Sequence, residues 1–193
     1  VNVMHERIDH GANLLKNNVF QFDFLNDDFS KLPQSLQDII NDEEKRKKLV
    51  VYINPPYAEA SNRDTVTGSG ENKSNVATNT IVYKDFSTIV GTATRELFAQ
   101  FFLRIYKEIP NVKLASFSTL KYVSSQNFFK FKKYFKAEFI NGFIVPADTF
   151  DNVNGKFPIG FLIWDTENKK TIKEVTCDIY KKDYLGNWVY YPN

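Results

Sequence analysis

The chain has 193 residues, 42% of them hydrophobic and 25% charged, with a formal net charge of +2. That is enough for one ordinary domain with a real core, and the charge balance announces no whole-chain polyanion binder, so any basic surface must be local. One cysteine, Cys177, excludes an internal disulfide and a cysteine zinc cluster, and with His5 and His10 as the only histidines no metal site is expected.

In chain order, Met4, Ile8, Ala12 and Leu15 recur at helical spacing, with Gly11 a weak point and Lys16-Asn17-Asn18 a stop. Val19–Phe24 alternates and reads as a strand ending at the acid of Asp23-Phe24-Leu25. Ser30–Lys48 places Leu32, Leu36, Ile39 and Ile40 at helical spacing and then runs into a charged connector. No signal peptide or membrane span is visible, so a cytoplasmic location is expected.

Val50-Val51-Tyr52-Ile53 is an apolar, β-branched run that ends abruptly in Asn54-Pro55-Pro56-Tyr57. The run reads as a buried strand. Neither proline can donate to a ladder, and Pro56 pushes Pro55 toward an extended conformation. A stiff corner results at the C-terminal end of a strand, the edge where open α/β sheets bind ligands. An exocyclic amine on a π-system is a poor nucleophile because its lone pair is delocalised. Two acceptors aimed at its N–H bonds draw the nitrogen toward tetrahedral geometry; the Asn54 amide oxygen and the Pro55 carbonyl can supply them. Tyr57 can stack on the ring that carries the amine. The plainer alternative is a turn after a strand.

Ala58–Thr80 is polar and without apolar periodicity, and reads as a flexible loop leaving the corner. Thr94–Lys107 is the clearest helix: Leu97, Phe98, Phe101, Phe102 and Ile105 form one stripe, with Arg95, Glu96, Gln100 and Arg104 elsewhere. Val112–Phe117 is the next strand, and Lys121 follows at a strand-to-helix junction on the ligand edge. Asn127–Phe135 interleaves aromatics with Lys130, Lys132 and Lys133; it is either a phosphate-gripping surface or an amphipathic helix with lysines on its wet face. Ala137–Val145 and Phe161–Trp164 read as strands, and the chain closes through Thr171–Tyr180 and an aromatic strand at Trp188–Tyr191.

Asn54-Pro55-Pro56-Tyr57 resembles motif IV of the S-adenosylmethionine-dependent methyltransferases that modify amino groups. These include the DNA adenine-N6 enzymes of restriction–modification systems and the protein glutamine-N5 enzymes. Asp23-Phe24-Leu25, one strand earlier, is similar to motif III, whose acid binds the adenine of the cofactor. The Asn141-Gly142-Phe143 and Phe157-Pro158-Ile159-Gly160-Phe161-Leu162-Ile163-Trp164 segments are similar to the closing hairpin of the adenine-N6 enzymes. There an aromatic helps hold the flipped base, and Phe157 is the candidate. The resemblance thus implies Asn54, Pro55, Pro56 and Tyr57 as catalytic residues and Asp23 and Phe24 as cofactor residues. Phe157, Lys121, Lys130 and Lys133 are the candidate substrate contacts.

The fold implied is α/β: part of a class I methyltransferase (Rossmann-like) sheet, with helices on both faces and a C-terminal antiparallel hairpin. The glutamine-N5 enzymes follow this tetrapeptide with a short acidic, proline-containing segment that this sequence lacks, so DNA is the expected substrate. The family's glycine-rich cofactor loop is also missing, since Gly68-Ser69-Gly70 lies in the wrong place. Residues 1–193 therefore read as one partial catalytic domain with an incomplete S-adenosylmethionine site. A restriction or specificity subunit or a fused domain is the expected partner, along with self-association through exposed sheet edges. The rival outside enzymology is a silent module that binds DNA or a partner subunit.

Overall fold

The computed structural model describes residues 1–56, 78–150, 157–183 and 185–192. Tyr57 and most of the loop expected over Ala58–Thr80 lie outside the described residues. Helix α1 spans Asn2–Asp9 and contributes nothing to the core. Helix α2 (Gln34–Asn41) buries Ile40, and the short α3 (Glu43–Arg46) is capped by the Asp42 side chain, which accepts from the Lys45 N–H. Arg46 then donates to the carbonyls of Pro110 and Ile40, fixing α3 against the turn that precedes Lys113.

Strand β1 is Val50–Ile53, as the apolar run predicts. Helix α4 (Ile81–Val90) follows the polar stretch, started by Thr80, whose hydroxyl accepts from the Tyr83 N–H. Helix α5 (Leu97–Glu108) buries Leu97, Phe98, Phe102 and Ile105 of the expected stripe and half-buries Phe101. Asn111 then turns the chain at a φ of 65°, a conformation Asn tolerates. Strand β2 (Lys113–Thr119) leads to the short α6 (Lys121–Ser124) and to α7 (Phe129–Tyr134). Strands β3 (Glu138–Pro146) and β4 (Pro158–Asp165) form the expected hairpin, and β5 (Asp178–Lys182) and β6 (Trp188–Tyr191) close the chain.

The result is a mixed α/β architecture on one six-stranded sheet of order β1-β2-β4-β3-β5-β6. β1 and β2 are parallel, from Val50 opposite Lys113 to Ile53 opposite Ser116. β4 lies antiparallel between β2 and β3, so β2 and β3 run the same way with a reversed strand wedged between them. Among the described residues no helix is long and apolar enough to cross a membrane.

Several sequence expectations fail. The helix expected through Leu15 ends at Asp9, with Gly11 following at a φ of 94°. β1 is not a buried strand: Val50 and Tyr52 are exposed and Val51 and Ile53 half-buried. Val19–Phe24 is not a strand. The Asp23 carboxylate accepts from the Leu25 N–H and the Asn26 side chain, which bends the backbone into a turn. Arg104 donates to the carbonyls of Phe24 and Asp27, so groups a ladder would use are taken. Among the described residues the helices also do not cover both faces. Val82, Phe86, Phe98, Phe102, Tyr122 and Phe131 join one core cluster with Leu114, Leu162 and Trp164, which share one face of the sheet by register. The steps from β1 to β2 and from β2 to β3 go the same way across the sheet, and right-handed crossovers in one direction lay their helices on one side.

Candidate active site

Parallel strands deliver their C-terminal ends to one edge of a sheet. A reversed strand delivers its N-terminal end there. β1 therefore brings Asn54, β2 brings Thr119 to Lys121, and β4 brings Phe157 and Pro158 to the same edge, with Thr119 opposite Ile159. Asn54 sits one step past the Ile53–Ser116 pair and is exposed; Pro55 is buried and Pro56 exposed. The buried Pro55 fixes the corner, and its fixed φ stiffens the backbone that carries the Asn54 amide.

Beside this corner's strand neighbour lies a hollow of about 400 Å³ lined by Glu96, Thr119, Leu120, Lys121, Ser124, Phe157 and Pro158. It brings together Phe157 and Lys121, two of the residues the sequence singles out. Gly160 helps shape it: a Cβ there would stand 2.6 Å from Leu120 Cδ2, so the missing side chain lets Leu120 lie flat against β4. Thr119 Oγ1 is buried and finds no hydrogen-bond partner among the described residues. Glu96, only 7% exposed, holds the Lys121 ammonium in an ion pair. The carboxylate is the N-cap residue of α5, where the helix dipole favours negative charge.

Glu96 lies off the apolar stripe of α5 and carries no role in the sequence pattern. It begins a row, Glu96, Gln100 and Arg104, that is buried throughout. Gln100 accepts from the Thr80 hydroxyl and donates to the Thr94 carbonyl at 2.7 Å. Arg104 holds the Phe24 and Asp27 carbonyls and lies 4.8 Å from the Phe29 ring centroid. The i, i+4, i+8 spacing was the available signal: one polar stripe facing one layer of chain.

The remaining candidates lie elsewhere. Both oxygens of the Asp23 carboxylate already accept bonds within its turn. The Phe24 ring stacks on Phe101 at 5.3 Å and 5°, and packs against Phe29 at 5.9 Å. Asn26 of that turn accepts the Ile81 N–H and so ties it to the start of α4. Lys130 and Lys133 are exposed on α7, while Phe128, Phe131 and Phe135 beside them are buried. The segment is thus an amphipathic helix, with Phe129 as its exposed ring and Lys133 Nζ 4.4 Å from that ring's centroid. Among the described residues no group of three or more His, Cys, Asp or Glu could hold a metal ion.

No protein-family model matches the chain, and no curated protein does. Among solved structures, the chain is similar to the DrdV–DNA complex at 15% identity and a TM-score of 0.42, over 68% of this chain and 14% of that one. It is also similar to the ATP-dependent Type ISP restriction-modification enzyme LlaBIII bound to DNA, at 12% identity and a TM-score of 0.35, over 72% of this chain and 10% of that one. The chain thus spans a small part of either structure.

Proposed function

We propose that the parent protein is a site-specific DNA adenine-N6 methyltransferase, of the restriction–modification kind, and that Asn54-Pro55-Pro56-Tyr57 is its catalytic corner. One observation carries the reading: Asn54 stands exposed at the C-terminal end of a parallel strand, on the edge that also holds the hollow lined by Phe157. The target adenine leaves the duplex stack. Its amino group is held between the Asn54 side-chain oxygen and the Pro55 carbonyl, which accept its two N–H bonds. Phe157 at the rim of the hollow and Tyr57 on the corner present rings to the base. Catalysis is positioning and electrostatics, with no covalent enzyme intermediate. Lys121, Lys130 and Lys133 meet backbone phosphates, with Glu96 keeping Lys121 in place.

The methyl donor is S-adenosylmethionine, and the described residues do not complete a site for it. The exposed Asp23 carboxylate accepts two hydrogen bonds within its turn and keeps lone pairs for a ligand amine, while Phe24 is half-buried against Phe101. The rest of the donor site belongs to residues outside this set, and no step here depends on its geometry. That same observation favours one second reading, a non-catalytic module that binds DNA or a subunit.

The test is methyl transfer by the full-length parent carrying Asn54→Ala. Undiminished adenine methylation removes the assignment. Offering unmodified release factor and DNA in competition separates the adenine-N6 reading from the glutamine-N5 one. Calorimetry on the 193-residue chain is expected to find little or no S-adenosylmethionine binding.

A further inference from the structure

Asn26 joins two parts of the chain that are 55 residues apart in sequence. Its side-chain N–H donates to Asp23 Oδ2 at 2.8 Å, and its amide oxygen accepts from the Ile81 N–H at 3.1 Å. These partners fix which way the amide lies, because a carboxylate can only accept and a backbone N–H can only donate. Ile81 is the first residue of α4, where a helix leaves its N–H groups without partners of its own. Thr80 already caps that turn by accepting from the Tyr83 N–H. Asn26 thus reaches a helix start that has its cap, and reaches it from the turn that carries Asp23.

Both ends are also held by α5. Gln100 accepts from the Thr80 hydroxyl at 2.5 Å. One turn later, Arg104 donates to the carbonyls of Phe24 and Asp27, which flank Asn26. The Asp23 turn, the start of α4 and α5 therefore close a ring of hydrogen bonds. Glu96, one turn before Gln100, holds Lys121 at the hollow. Four residues of helix rise about 6 Å, so one rod sets the spacing between the Asp23 turn and the hollow.

Stability does not account for the outer part of this ring. Asp23, Asn26 and Ile81 are all exposed. Water serves exposed polar groups nearly as well, so these bonds add little to folding. What they secure is direction. Asp23 Oδ1 accepts from the Leu25 N–H at 3.1 Å and Oδ2 from Asn26, and each oxygen keeps a second lone pair. An exposed carboxylate gripped at both oxygens is a pre-aimed acceptor for a ligand N–H.

We propose that Asn26 is a positioning residue for the methyl donor. It aims the Asp23 carboxylate at an amino group of S-adenosylmethionine, and it carries the occupancy of that carboxylate to the first turn of α4. The inference rests on the methylation reading of the parent protein. Asn26 acts through Asp23: a ligand N–H on the carboxylate steadies the Asn26 amide, and the Ile81 N–H then opens less often.

Amide hydrogen exchange at Ile81 tests it, on the full-length parent with and without saturating S-adenosylhomocysteine, whose affinity calorimetry measures. In the unmutated parent the ligand slows Ile81 exchange several-fold. In Asn26→Ala, Ile81 exchanges fast with or without ligand, and the ligand binds about ten-fold more weakly. Asn26→Asp separates the two ends, since it keeps an acceptor for Ile81 but offers Asp23 no donor. Ile81 then stays protected, stops responding to ligand, and affinity falls as in Asn26→Ala. A purely structural role leaves affinity unchanged in Asn26→Asp, and that result overturns the proposal. So does a ligand that binds the unmutated parent without slowing Ile81, a comparison that needs no variant to fold. Either result leaves the methylation reading standing. An unmutated parent that binds no S-adenosylhomocysteine removes the methylation reading and this proposal together.

Discussion

The indole N–H of Trp164 donates to the phenolic oxygen of Tyr122 at 2.9 Å, with both side chains fully buried. Burial also pushes the Tyr122 phenol well above its ordinary pKa, so the group stays neutral. Tyr122→Phe keeps the ring packing against Phe98 and Phe102 but leaves the indole N–H without its acceptor. The expected loss is about 1–3 kcal/mol, read as a lower urea midpoint at unchanged slope. In a Trp164→Phe background the same substitution is expected to cost less, because no donor is stranded.

Arg104 anchors the segment before α2 by donating to two of its carbonyls. Arg104→Met keeps the stem and removes both bonds. Hydrogen bonds from a charged donor are worth about 1.5–3 kcal/mol each, so the segment around Phe24 and Asp27 is expected to loosen before the sheet does. Native-state hydrogen exchange checks this: the amides of residues 25–29 speed up and those of β2 do not.

Two glycines should respond differently to alanine. At Gly142 a Cβ would stand 2.5 Å from the Phe161 carbonyl oxygen, which is backbone. At Gly160 the nearest atom, at 2.6 Å, is the tip of the Leu120 side chain. Overpacking costs about 1–3 kcal/mol, and Gly142→Ala is expected at the upper end because a ladder cannot move aside. Gly160→Ala is expected to be milder and to push Leu120 into the hollow. Denaturation midpoints rank the two.

Acid stability should carry a mark from Asp165. Burial raises its carboxyl pKa, but the Lys113 ammonium and the Glu167 N–H outweigh that and hold it below the usual carboxylate range. A depressed folded pKa gives stability that is complete above the unfolded value, about 3.9, and is lost as pH falls through the folded one. Asp165→Asn is therefore expected to lower stability at pH 6 and to flatten the fall below about pH 4. Denaturation curves across that range decide it.

Under the DNA reading, Lys121→Ala and Lys133→Ala each weaken binding about equally across sequences and reduce the salt slope by about one. A change confined to one sequence would mean contact with a base edge instead. Fluorescence anisotropy at several salt concentrations on the parent protein separates these outcomes.

The sequence made some of this legible and hid the rest for physical reasons. The stripe of α5 and the β3–β4 hairpin are readable because their apolar spacing reports the buried side, whereas Val50–Ile53 is legible as a strand but not in its burial, since Val50 and Tyr52 are exposed. Phe157 and Lys121 were singled out separately; the Thr119–Ile159 pairing that unites them is tertiary and has no local signature. Helix α4 goes unread because Thr80, its cap, looks like the end of a polar loop. Phe20, Phe22 and Phe24 alternate like a strand, yet Phe22 and Phe24 pack on each other at 6.2 Å around a capped turn. The burial of Glu96, Gln100 and Arg104 has no signature in the sequence, because polarity alone does not say whether another layer of chain lies on top.

The parallel pairing of β1 with β2 also orders events in time. Val50 meets Lys113 about sixty residues further along the chain, whereas β3 and β4 join across a short connection. Closing the larger loop restricts more of the chain before any contact compensates. The hairpin is therefore expected to form early and to serve as the template on which β2 and then β1 dock. The corner that carries Asn54 is thus among the last parts of the molecule to take shape, and a misfolded intermediate has a sheet without it.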